Sequence, residues 1–173
     1  LNVSSSISFQ GKIYLVGGRN ASNQTINQVL AFDASTNQWT TKANMLTARH
    51  GMQLVWFENR IWAIGGNGGG GGYSNKVESY DPSSNSWNTN TSMIVSRFLP
   101  SAWVGNGNIY VYGGYNGAFP NSIEIYNPIT EVWSLHGNLP ESKEGGDAVV
   151  LNDQVFVVAG KRNSSGFSNK VFA

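Results

Sequence analysis

Residues 61–66 read Ile61-Trp62-Ala63-Ile64-Gly65-Gly66, and the chain runs on through Val77-Glu78-Ser79-Tyr80-Asp81-Pro82 to Trp87 and Arg97. That is an apolar run closed by a glycine pair, an aromatic-Asp-Pro turn, a tryptophan and a basic residue. The same order recurs on both sides. Gly17-Gly18 lies 48 residues before Gly65-Gly66, and Gly113-Gly114 lies 48 after it. Ala159-Gly160 makes a fourth copy, 46 residues further on. Apolar runs precede each pair, at residues 13–16, 109–112 and 155–158. Phe32-Asp33 and Tyr126-Asn127-Pro128 answer Tyr80-Asp81-Pro82, Trp39 and Trp133 answer Trp87, and Arg49 and Lys143 answer Arg97. Recurrence in fixed order at near-constant spacing makes this a repeat protein.

Each unit reads as four short strands. In the second copy they fall near residues 51–57, 60–64, 76–80 and 86–90, with Asn, Gly, Asp or Pro at every join. No segment carries a sustained 3.6-residue apolar period, so almost no helix is expected. Four antiparallel strands repeated every 40 to 50 residues describe a blade of a β-propeller, and the fold class is all-β. The glycine pair suits a strand end that needs positive φ or close packing. Tyr80, Tyr126 and the tryptophans offer flat surfaces for packing between sheets. Pro and the Asx residues set the turn joining the third and fourth strands.

In its Gly-Gly, Tyr-Asp-Pro, Trp and Arg signals the chain resembles the kelch repeat family over nearly its whole length. It departs at Ala159, Phe32, Asn127 and Lys143. The resemblance implies a partial kelch-type propeller of three complete four-stranded blades plus most of a fourth, at about residues 1–43, 44–91, 92–137 and 138–173. Family propellers usually close with six or so blades. The remaining blades are therefore expected from a longer chain or from a second copy.

Composition narrows the function. Charged residues are 12% of the chain, against roughly 25% on average, and the formal net charge is +1. No basic stripe favours nucleic acid or an anionic membrane. The apolar runs are too short to cross a bilayer and no signal peptide is visible. Sequons at Asn2, Asn20, Asn23, Asn90 and Asn163 would matter in an exported protein, and the compartment is left open between cytoplasm and exterior. There is no cysteine. That removes disulfides, thiolate metal sites and the cysteine–tyrosine cross-link of galactose oxidase, a copper enzyme on the same fold. His50 and His136 lie in different repeats without metal-ligand spacing. The run 65–72 contains G-x-G-x-x-G, but a strand follows it, so a loop is the better reading than a phosphate cradle. Glu141, Glu144 and Asp147 read as a solvated loop. No nucleophile motif is present. No cofactor, no metal and no catalytic constellation are expected.

Strand alternation places the loops after the glycine pairs and the loops between blades on one face. That face gathers Arg49, His50, Tyr73, Arg97, Phe98, Tyr115, Asn116, Phe119, Lys143 and Arg162. Cations beside aromatic residues on rigidly held loops suit recognition. In kelch-like substrate adaptors, arginines opening the first strand and residues after Gly-Gly contact acidic peptides. The resemblance carries that role to Arg49, Arg97 and Tyr115 as an expectation. The alternative is structural, with the arginines bonding backbone carbonyls between blades. The expected function is a non-catalytic scaffold for a protein or peptide partner, acidic if the arginines face it. BTB and BACK domains upstream would make it a ubiquitin-ligase adaptor. The competing class is a carbohydrate- or small-molecule-processing propeller, as in bacterial kelch proteins of the sialic acid mutarotase type.

Overall fold

The structure is a computed structural model that describes residues 4–68, 72–152, 154–163, 166–167 and 170–172. Those residues contain no helix. Three four-stranded sheets follow in chain order: Ser5–Phe9, Lys12–Arg19, Thr25–Asp33 and Gln38–Lys42; Gln53–Phe57, Arg60–Ile64, Val77–Asp81 and Ser86–Asn90; Ser101–Gly105, Asn108–Tyr112, Ser122–Asn127 and Val132–Asn138. A fourth sheet holds Asp147–Leu151, Gln154–Val158 and the short strand Val171–Phe172. Within each sheet consecutive strands pair antiparallel. The first strands of successive sheets are neighbours, so the sheets radiate from a common axis as blades.

The hairpin between first and second strands is the same device in three blades. Gln10-Gly11, Glu58-Asn59 and Asn106-Gly107 all have positive φ at both positions. That is the two-residue turn whose twist matches paired strands, and Asn and Gly are its favoured residues. The third-to-fourth turn rests on Asp81, whose Oδ1 accepts from Ser83 N at 2.8 Å and from Ser83 Oγ at 2.6 Å. Asn85 closes that turn at φ 52 and accepts from the Tyr80 hydroxyl at 2.7 Å.

Blades join through their aromatic residues. Tyr80 and Trp87 of the second blade pack back on Tyr14, Val16 and Val29 of the first. Tyr126 and Trp133 of the third pack back on Trp62, Ile64 and Val77 of the second. Each indole N–H donates to the chain leaving the earlier blade: Trp87 to Ala43 O and Trp133 to Thr91 O, both at 2.9 Å. Trp39 differs. It is 52% exposed, and its ring lies 5.1 Å from Phe32 of the same sheet. A recurring asparagine outside the four signals also holds the repeat. Asn27, Asn75 and Asn121 donate to the carbonyls of Met45, Met93 and Leu139.

The glycine pairs are forced by the following blade. A Cβ on Gly65 would stand 2.5 Å from Arg97 O, and Gly66 N donates to that same oxygen at 2.7 Å. Lys143 O sits in the same way against Gly113 and Gly114. In the fourth copy Ala159 takes the first glycine's place and still holds φ 55. An alanine there is strained by about 1–2 kcal/mol. Ala159→Gly is expected to raise stability by ~0.5–1 kcal/mol once glycine's extra unfolded-state entropy is subtracted. Urea denaturation of the pair of proteins measures it, and a loss of stability would refute the assigned backbone.

Candidate functional site

Two positions per blade build the mouth of the ring. One directly follows the glycine pair: Arg19, Asn67, Tyr115 and Lys161. The other directly follows the basic residue: His50, Phe98 and Glu144. Within a blade the two are tied by main-chain pairing. Arg49–His50 pairs with Asn67–Gly68. Phe98 and Tyr115 exchange N–H···O bonds of 2.8 Å in both directions, as do Glu144 and Lys161. All seven side chains line one concavity of about 400 Å³, with Tyr73 and Phe119 from the loops beyond the glycine pairs.

Its middle is aromatic. Tyr73 stands edge-on to Tyr115 at 5.3 Å, Tyr115 is tilted on Phe119 at 4.9 Å, and His50 meets Phe98 at 5.4 Å. The His50 Nδ1 lies 3.2 Å from Thr25 Oγ1. Burial and the nearby Arg19 charge hold the His50 pKa below its ordinary value, so the ring stays neutral at pH 7. Burial, and then Tyr115, push the Tyr73 hydroxyl up. Arg19 bonds Asn23 Oδ1 through Nη1 at 3.2 Å, while its Nε is buried with no acceptor. Cationic Arg19 thus stands on one rim, and the Glu144–Lys161 pair on the blade at the far side.

His50, Tyr73, Phe98, Tyr115 and Phe119 are brought together as the sequence suggested. Asn116 is placed differently: it shapes its turn by accepting from Ala118 N at 3.2 Å and does not line the concavity. The Arg162 side chain lies outside the described residues. The larger correction concerns Arg49, Arg97 and Lys143, whose side chains are 1%, 0% and 2% exposed. They point into their own blades. Arg49 donates to Gly65 O at 2.6 Å and Lys76 O at 2.9 Å and pairs with Glu78 at 3.1 Å. Arg97 donates to Gly113 O at 2.7 Å and to Ser122 O at 3.1 Å and pairs with Glu124 at 3.1 Å.

The same glutamates tie down the chain entering the blade. Glu78 accepts from Leu46 N at 2.8 Å and from the Thr47 hydroxyl, and Glu124 accepts from Ile94 N at 2.6 Å and Val95 N at 3.1 Å. A buried guanidinium needs such a partner. In the fourth copy the glutamate's place is Phe172, and the basic residue is Lys143, whose Nζ donates to Lys170 O at 2.7 Å. Arg19 and Lys161 are the mouth cations that motif reading missed. Their signal was positional, being the residue after the glycine pair in register with Tyr115.

Radiating four-stranded blades with a loop-built concavity near the axis define a β-propeller. The KLHDC2/KLHL20/DRC7 kelch-repeats domain family matches residues 2–168. The chain belongs to the kelch repeat family, and the fold is a kelch-type propeller with three four-stranded blades and, among the described residues, three strands of a fourth. Among solved structures it is similar to one described as "Structure of YjhT", with a TM-score of 0.85 and 19% identity over 99% of this chain. The match spans 61% of that chain. No curated protein matches the sequence.

Proposed function

We propose that the chain is a recognition segment of a kelch propeller that binds a protein or peptide partner at the mouth, without catalysis. The observation that carries this is the aromatic floor. Tyr73, Phe98, Tyr115 and Phe119 come from two adjacent blades; Phe98 and Tyr115 are held by paired main chain, and Tyr73 and Phe119 lean on Tyr115 from the loops beyond the glycine pairs. Tyrosine and phenylalanine on rigid scaffolds bury a large area at low entropic cost, as hot-spot residues do. Any preference for acidic partners then rests on Arg19 and Lys161, not on Arg49 and Arg97. The adaptor role that the family resemblance implies would rest on this same surface.

A second reading has one observation in its favour. Asn67 and His50 put polar groups beside the aromatic rings, a pairing that also suits a sugar face. Selection from a displayed random-peptide library separates the two. Peptides selected on the wild-type chain should lose about tenfold or more on Tyr115→Ala/Phe119→Ala, the loss of two hot-spot rings. Tm should change little, since both rings are only half-buried. Selected peptides that bind the double variant equally well would remove the mouth as the site. Failure to select any, with binding of monosaccharides in a titration, would favour the sugar reading.

A further inference from the structure

We propose that the cleft between the first two blades, on the face opposite the mouth, is a binding site for a neutral pyranose ring, free or within a glycan. The mouth lies where the second strands end at the glycine pairs, and this cleft lies at the other end, where those strands begin. It measures about 310 Å³. Phe9 of the first blade and Trp56 of the second form its wall, with ring centroids 3.3 Å apart and planes 16° from parallel. Polar groups rim it: Gln10 from the first hairpin turn, then Glu58, Asn59 and Arg60 at the second.

The blade itself does not call for these side chains. Trp56 faces Ile61 across its hairpin, and the same place holds Ser8 opposite Ile13 in the first blade and Val104 opposite Ile109 in the third. The sheet forms with any of the three. The turn departs in the same way. Its first position has positive φ in each blade, and the third blade fills it with Asn106. Asparagine tolerates that conformation and favours this turn. Gln10 at φ 45 and Glu58 at φ 49 lack that preference, and theirs are the two turns that border the cleft. Residues that the repeat does not require thus meet at one place.

The mixture of groups selects the ligand. Glu58, exposed at its turn, offers only acceptors, Arg60 offers only donors, and the Gln10 and Asn59 amides offer both. Asp81 takes one Arg60 N–H, from Nη2 at 3.3 Å, while its other oxygen is engaged by Ser83. That leaves most of the five guanidinium donors on a side chain still 32% exposed. An anion drawn to Arg60 would meet the Glu58 charge, and a cation drawn to Glu58 would meet Arg60. Hydroxyl groups both give and accept, so a polyol satisfies the whole rim. The stacked rings require a flat apolar surface as well. A pyranose supplies it: hydroxyls lie round its edge, and the C–H groups of its face suit the negative face of an aromatic ring. An open-chain polyol has the hydroxyls without the face.

Saturation-transfer NMR of the whole chain with the methyl glycosides of glucose, galactose and mannose tests the site. At least one should bind, with transfer strongest to the C–H protons of one ring face. Trp56→Val, which carries over the third blade's residue, should weaken binding about tenfold, the worth of one large apolar contact. Glu58→Gly should also weaken it about tenfold, the worth of a hydrogen bond to a charged group. It should not lower Tm, because glycine suits positive φ, so the test stands even if Trp56→Val disturbs folding. The methyl glycosides of glucosamine and glucuronic acid should bind more weakly than that of glucose. A disaccharide bound as well as its monomer assigns the site to a glycan, and one bound worse assigns it to a free sugar. Tyr115→Ala/Phe119→Ala at the mouth should leave sugar binding as it is. Loss of sugar binding in that variant would move the sugar to the mouth and overturn the proposal. So would no binding at tens of millimolar, binding indifferent to both cleft variants, or tighter binding of either charged sugar.

Discussion

Arg97→Ala is expected to lower the free energy of unfolding by ~3–5 kcal/mol, the usual effect of stranding one half of a buried ion pair. That is a large part of the roughly 5–15 kcal/mol that holds a domain folded. Arg97 and Glu124 are both 0% exposed. Removing the guanidinium leaves the carboxylate in the blade with only the Ile94 and Val95 amides, and leaves Gly113 O and Ser122 O short of a donor. Arg97→Ala/Glu124→Gln should recover part of the loss, because the buried charge is gone while an acceptor for the two amides remains. Chemical denaturation of the three proteins checks the order. Binding at the mouth, measured per folded molecule, should be unchanged, since Arg97 does not line it. A variant that keeps its stability but loses a mouth ligand would return Arg97 to the binding face.

That outcome turns on the one point where the sequence was ambiguous in physical terms. A basic residue recurring once per repeat beside a variable aromatic one reads equally well as a ligand contact and as a structural clamp. Strand alternation placed its backbone on the mouth face correctly, but the side chain turns inward. The sign was in the third strand. Glu78 accompanies Arg49 and Glu124 accompanies Arg97, each at the same third-strand register, and a carboxylate recurring in step with a basic residue points to a buried pair.

The blades themselves were legible because glycine at positive φ, Asx turns and the interlocking aromatic residues are each dictated locally. The second blade's strands fell within two residues of their observed ends. The mouth was half legible. Tyr73, Phe98, Tyr115 and Phe119 announce themselves by size and position. Arg19 and Lys161 share one repeat position with Asn67 and Tyr115, and a position defined by variability has no residue type to flag it.

Trp87→Ala should cost ~3–5 kcal/mol, the range for emptying a packed aromatic site, while Trp39→Ala, at the equivalent position of the first blade, should cost less than about 1 kcal/mol, as exposed substitutions do. Sequence alone gives the two tryptophans the same rank, since each follows its repeat's aromatic by seven residues and opens the fourth strand. Position in the ring separates them. Trp87 is 7% exposed, lies 5.2 Å from Tyr80, and donates from Nε1 to Ala43 O across the blade boundary. Its loss removes packing on both blades and leaves that carbonyl without its indole donor. Trp39 is 52% exposed and touches Phe32 within its own sheet. Urea denaturation of the two variants decides the matter. Equal losses would mean that the tryptophan stabilises its own strand pair, and the account of blades held together by aromatic residues packing backward would fail. A large loss at Trp87 alone shows that the repeat's stability resides at the junctions, where one blade's Tyr and Trp fill the face of the blade before it.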